Sequence, residues 1–147
     1  MAESKEEQFR RLMMERNAKV IEEFRSNGGK VGGDHEGRPL LLLTTIGAKT
    51  GQKRINPLTY LQDGDTYVVF ASKGGAPTHP DWFNNLTADA AVVVEVGDER
   101  FETEAVPAVE GERARLFEQQ AGYFPHFWGY QEKTTRKIPA VVLARKK

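Results

Sequence analysis

From residue 38 onward the apolar residues of this chain arrive in short β-branched or aliphatic runs broken by turn residues, and that pattern restricts the fold more than any other feature. Leu40 to Leu43, continued by Thr44 and Thr45, is bounded by Pro39 and Gly47 and is too brief for a helix, so it reads as a buried strand. A second strand begins near Arg54. Thr66 to Ser72 follows the turn Asp63-Gly64-Asp65, Ala91 to Val96 and Arg100 to Val109 flank Gly97-Asp98-Glu99, and Ile138 to Arg145 closes the series. Six strands with few helices between them cannot make a doubly wound sheet. They predict a mostly β, α+β fold: a barrel of about six mainly antiparallel strands with helices laid against it.

The helical signals are few. Lys5 to Arg25 lacks Gly and Pro and spaces Phe9, Leu12, Met13, Val20, Ile21 and Phe24 as one apolar stripe, closed by Asn27-Gly28-Gly29. Both charge signs populate its polar face, which favours covering a core over lying on a membrane. Pro80 to Leu86 reads as a short helix with Pro80 in its first turn, and Glu110 to Gln120 as a polar one. At 147 residues the chain suits a single domain: a helix over 1–27, a flexible linker over 28–37 and a barrel over 38–147. With no cysteine there is no disulfide framework or thiolate nucleophile. The N-terminus has no apolar signal core and no run approaches the ~20 apolar residues of a membrane span, so a cytoplasmic protein is expected.

Charge is balanced overall, with 21 basic and 21 acidic residues. Residues 37 to 62, GRPLLLLTTIGAKTGQKRINPLTYLQ, nevertheless hold Arg38, Lys49, Lys53 and Arg54 and no acid. Clearing carboxylates from a glycine-punctuated turn builds a socket for an anion, with backbone N–H groups beside cationic side chains. A nucleoside triphosphatase loop fails on spacing, because Ala48 and Leu43 stand where that motif needs glycines. His35, His79 and His126 have no ligand spacing, so no metal site is expected. Neither a GxSxG elbow nor a GxGxxG turn is present. What remains is binding chemistry, including the dense aromatic segment YFPHFWGY at 123–130. Such density usually fills a core, but Pro125 and Gly129 break helical periodicity and leave open an aromatic wall over a flat conjugated ligand.

Three segments, TTIGAKTGQKRINPL at 44–58, VVFASKGGAPTHPDWFNNLTADAAVVVEV at 68–96 and TTRKIPAVVLAR at 134–145, together resemble the deazaflavin-dependent nitroreductases, split β-barrel enzymes of actinobacterial type that use coenzyme F420. The resemblance runs from about Pro39 to the C-terminus. It implies that Ala48, Lys49 and Thr50 hold the cofactor phosphate and that Arg54, Ile55, Asn56, Pro57, Leu58 and Thr59 line the deazaflavin and its side chain. Phe70, Ala71, Ser72 and Lys73 would border the ring, and Asp81, Trp82, Phe83, Asn84 and Asn85 would close the far side.

The family's substrate pocket commonly presents tyrosines. Here Phe124 and Phe127 stand at two such positions and Tyr130 at a third, which makes the acceptor pocket more apolar and removes a proton donor at Phe127. The implied reaction is hydride transfer from reduced coenzyme F420 to an electron-poor conjugated acceptor (an enone, lactone or quinone), with Tyr130, Ser72 or water supplying the proton. The protein is expected to be a monomer or homodimer. Two rival readings share the socket and the aromatics: an FMN-binding barrel oxidoreductase, and a non-catalytic cofactor carrier or oligonucleotide-binding barrel. Balanced charge and a single basic patch argue against nucleic acid.

Overall fold

The computed structural model describes residues 4–33 and 37–144. Residues 34–36 of the expected linker, with His35, and Arg145 to Lys147 of the expected last strand lie outside the described residues. The strands are β1 (Leu40–Ile46), β2 (Lys53–Asp63), β3 (Thr66–Phe70), β4 (Ala91–Val96), β5 (Glu99–Pro107) and β6 (Ala140–Ala144). They close into a barrel in the order β1-β2-β3-β6-β5-β4, and every neighbouring pair is antiparallel. Closure covers most strand edges, the usual liability of a β-rich chain, although β2 meets β3 only from Tyr60 to Asp63.

Strand alternation sorts the side chains. Leu41 and Leu43 point inside with Val69, Val94, Val141 and Leu143, while Leu40 and Leu42 point outside against the helix α1 (Lys5–Ser26). A four-leucine run therefore serves two cores, one on each face. The interior is plugged at one end by the helix α2 (Asp81–Ala88), whose Trp82 and Leu86 join the barrel's inner cluster. The helices α3 (Glu110–Tyr123) and α4 (His126–Glu132) lie over the opposite outer face, where Leu116, Phe117 and Phe127 pack on Leu61, Val68 and Phe70.

Several expectations change. The aromatic segment forms the helix α4 despite Pro125 and Gly129, with Pro125 at its N-cap and Phe127 buried. Packing against α3 stabilises a seven-residue helix that local propensity alone would leave marginal. Within the expected linker, Val31 is buried with Val20 and Phe24. Only the second half of α1 covers a core; Phe9, Leu12 and Met14 are at least half exposed. The helix ends where Gly29 N–H donates to the Phe24 carbonyl at 2.8 Å. Gly29 has φ +92°, and a Cβ there would meet Gly97 Cα at 2.8 Å, so glycine is required. Arg25 then donates twice to Glu95 on β4, at 3.0 and 2.9 Å. Among the described residues no helix is long and apolar enough to cross a membrane.

Candidate active site

The barrel is not paired equally along its length. β2 pairs with β1 from Lys53 to Thr59 but with β3 only from Tyr60 to Asp63. Along Lys53 to Thr59 no strand among the described residues pairs with its second edge, because β3 ends at Phe70 and the chain turns away through a 3-10 turn at Lys73–Gly75. Pro57 sits on this open stretch, where a missing N–H costs nothing. Ile55 packs on the α1 cluster and Leu61 on the α3 and α4 cluster. Pro57 and Thr59 therefore share the outward face between two helical walls, and both are only half-buried. The result is an open groove whose floor is β2.

The acid-free turn stands at one end of the groove. Its shape is fixed internally: Gly47 N–H donates to the Gln52 carbonyl at 2.8 Å, Gly51 N–H to the Gly47 carbonyl at 2.8 Å and Gln52 N–H to Thr50 Oγ1 at 3.2 Å. Asn85 on α2 anchors the turn to the barrel. Its Oδ1 accepts from Ala48 N–H at 3.0 Å and its Nδ2 donates to Thr45 Oγ1 at 3.1 Å. The N–H groups of Lys49 and Thr50 remain without an acceptor among the described residues. Lys49, Lys53 and Arg54 are exposed and have no ion-pair partner among the described residues. Two free amide donors beside three unpaired cations suit a phosphate.

The segment after β3 is held by Arg136, to which the sequence alone assigns no role. Its guanidinium donates to the carbonyls of Ala71 at 3.0 Å, Ser72 at 2.9 Å and Ala76 at 2.9 Å, and meets His79 Nδ1 at 3.0 Å. A guanidinium cannot accept, so His79 Nδ1 is the acceptor and its proton resides on Nε2. Burial first, and Arg136 second, lower the His79 pKa below its ordinary value. Because the folded-state value is depressed, the stabilisation is complete above the ordinary imidazole range near pH 6.5 and is lost as pH falls through the lowered value. Thermal melts between pH 7.5 and 5 are expected to fall on acidification more in the native protein than in His79→Gln, which does not titrate there; parallel curves would remove His79 from the account.

This scaffold accommodates a strained residue. Lys73 has φ +46°, the one described non-glycine residue with positive φ, and its Nζ donates to Thr78 Oγ1 at 3.3 Å. Gly75, at φ +85°, touches α4 so closely that a Cβ would stand 2.6 Å from the Tyr130 carbonyl.

The expected site residues divide accordingly. β2 from Arg54 to Thr59 runs on from the turn, Ser72 and Lys73 follow the end of β3, and Phe124 and Tyr130 are partly buried against the α3 and α4 cluster. Ala48 has its N–H committed to Asn85, so it orients the turn. Ala71 and Trp82 face the barrel interior, Phe70 and Phe127 lie in the α3 and α4 core, and Asn85 is buried beneath the turn. Asp81 and Asn84 are exposed on α2, and Phe83 stacks on His79 with ring centroids 4.7 Å apart. Gln131 is another residue to which the sequence alone assigns no role: its Oε1 accepts from Arg113 and from Ile138 N–H while its Nε2 donates to the Arg136 carbonyl at 2.7 Å. No local signal marks it, because its partners lie up to 18 residues away.

The profile of the F420H(2)-dependent quinone reductase family matches residues 16–145. A Mycobacterium tuberculosis protein named F420H(2)-dependent quinone reductase is 42% identical over 127 residues, covering 84% of this chain and 85% of that one. A solved structure described as an F420-H2 dependent reductase (FDR-A) superposes with a TM-score of 0.66 at 37% identity, over 72% of this chain and 94% of its own. A second, described as a domain-swapped dimer, gives 0.67 at 33% identity over 90% and 96%.

Proposed function

The chain belongs to the F420H(2)-dependent quinone reductase family, and from that premise we propose that the β2 groove binds the cofactor along its length and presents a conjugated, quinone-type acceptor to it. The protein is an F420-dependent reductase with reduced coenzyme F420 as its cofactor. The observation that carries the site assignment is the unpaired cationic turn opening directly onto the free edge of β2.

Lys49, Arg54 and the N–H groups of Lys49 and Thr50 hold the phosphate. From Arg54 to Thr59 the strand advances about 17 Å, enough to run a ribityl chain and a tricyclic ring along Ile55, Pro57 and Thr59. Ser72 and Lys73 border the ring from the segment that Arg136 fixes. Bound there, the cofactor supplies a hydride; the protein orients the two rings and excludes water, contributions for which effective molarities of about 10⁵ M are available. Phe124 makes the helical wall apolar, which favours flat carbonyl acceptors. Tyr130, Ser72 or solvent returns the proton, and Tyr130 packs within 5.2 Å of both Phe127 and His126, centroid to centroid.

Lys49→Ala and Arg54→Ala are each expected to weaken F420 binding about ten- to a hundredfold, the worth of a charge-assisted hydrogen bond of roughly 1.5 to 3 kcal/mol. Both residues are exposed, so far-ultraviolet circular dichroism and melting temperature should not move. Titration followed by cofactor fluorescence at two ionic strengths checks this. Dissociation constants unchanged in both variants would sink the phosphate assignment.

A further inference from the structure

Two residues beyond Thr59 on the outward face of β2, a cleft of about 260 Å³ opens beside Leu61, walled by Pro39, Tyr60, Tyr123 and Phe124 and backed by Gln120 of α3. Gln120 is wholly buried, and neither its Nε2 nor its Oε1 has a hydrogen-bond partner among the described residues. Its neighbours on α3, Leu116, Phe117 and Ala121, belong to the apolar cluster under the helix. A buried amide with neither end satisfied is costly where an aliphatic side chain of similar size would not be, so its presence at a cleft calls for a ligand carrying a matching group.

We propose that this cleft receives the distal oxygen of a para-quinone and that Gln120 is the residue which reads it, making the enzyme selective for acceptors with two opposed carbonyls over simple enones and lactones. The inference rests on the reading of the β2 groove as the site of hydride transfer. Leu61 lies about 7 Å along the strand from Thr59, the scale of one ring with its two oxygens, so an acceptor whose near carbonyl faces the cofactor places its far carbonyl at the cleft. The cleft lies just below the ~300 to 1,000 Å³ usual for drug-sized ligands, and its aromatic walls suit a one- or two-ring head.

An amide matches both redox states of such a ligand. A hydride accepted at the near oxygen leaves an electron pair on the far oxygen as a phenolate, and one proton then completes the hydroquinone. The cofactor gives up the same hydride and proton, so the exchange balances. Gln120 Nε2–H donates to the far oxygen as carbonyl and more strongly as phenolate, and Oε1 accepts from the hydroxyl of the product. A leucine can do neither. A simple enone has no second oxygen for the cleft to read.

The test compares 2-methyl-1,4-naphthoquinone with 2-cyclohexen-1-one as acceptors in the F420-loaded native protein, Gln120→Leu and Tyr123→Ala. Gln120→Leu is expected to lower kcat/KM for the naphthoquinone about tenfold or more, with kcat/KM for the enone and the F420 dissociation constant unchanged and the melting temperature not lowered. Tyr123 is 69% exposed, so its truncation leaves the fold intact even if Gln120→Leu does not fold, and it should raise the naphthoquinone KM. Quenching of intrinsic fluorescence by the naphthoquinone in cofactor-free protein gives a binding readout independent of turnover, and both variants should weaken it. An equal loss for both acceptors in Gln120→Leu, or unchanged naphthoquinone binding and KM in Tyr123→Ala, overturns the proposal. Native protein that reduces the enone but neither binds nor reduces the naphthoquinone overturns the quinone reading itself, a different result from a native enzyme that reduces the quinone with Gln120 indifferent.

Discussion

Phe127→Ala is expected to lower the free energy of unfolding by about 3 to 5 kcal/mol, the usual cost of deleting a buried aromatic ring. The ring is 8% exposed and sits among Phe70, Phe117 and Tyr130, with centroid separations of 5.9, 6.2 and 5.2 Å. Those contacts join α4, α3 and β3, so the cavity left by truncation cannot close without moving a helix. For a chain of this length the loss corresponds to a fall in melting temperature of roughly 6 to 20 °C. Thermal and denaturant unfolding measure it directly. Tyr130→Phe is the companion: it removes one hydroxyl from a partly buried ring, and its melting temperature should stay near that of the native protein. Turnover in that variant reports on proton donation, because acceptor affinity should not change. If Phe127→Ala melted normally and only raised KM for the acceptor, Phe127 would be a wall of the pocket and its place in the core would need another explanation.

That contrast shows where sequence reading stops. Most barrel strands were legible as local patterns, short runs of β-branched or aliphatic residues, with Gly64 turning β2 into β3 and Gly97 turning β4 into β5. The anion socket was legible for a similar reason, since the absence of acids from residues 37 to 62 needs no partner to be seen. The helix α4 was not legible. Pro125 and Gly129 are genuine local signals against a helix, and packing on Phe117 and Phe70 overrides them. The stripe on α1 misled in the opposite direction, because periodicity records amphipathicity without saying which turns find a partner; Val20 and Phe24 do, and Phe9 does not. Trp82 and Asn85 were placed correctly on a short helix, but which side of that helix faces the barrel follows from how α2 plugs it.

Arg136 depends on such long-range geometry more than any other residue near the groove, and its replacement is expected to disable the site. The guanidinium bridges acceptors 57 to 65 residues away, three of them backbone carbonyls on the turn that follows β3. Arg136→Ala leaves those carbonyls without their donor in a partly buried place. With charged hydrogen bonds contributing roughly 1.5 to 3 kcal/mol each and adding imperfectly, a loss of about 3 to 5 kcal/mol from this segment is expected. Lys73 is held at φ +46° by its surroundings, so it should relax once the turn is released. Ser72 and Lys73 would then leave the groove, and F420 affinity should fall by about tenfold or more although Arg136 touches no part of the proposed phosphate site. Arg136→Lys should rescue little, because one ammonium cannot present a planar fork to acceptors on several sides. Hydrogen exchange separates this from global unfolding: the amides of residues 71 to 79 should lose protection while those of β1 and β4 keep theirs. Normal protection over that segment with normal cofactor binding in Arg136→Ala would show that the turn is shaped by its own sequence, and the weight would pass to Gly75 and its close contact with Tyr130.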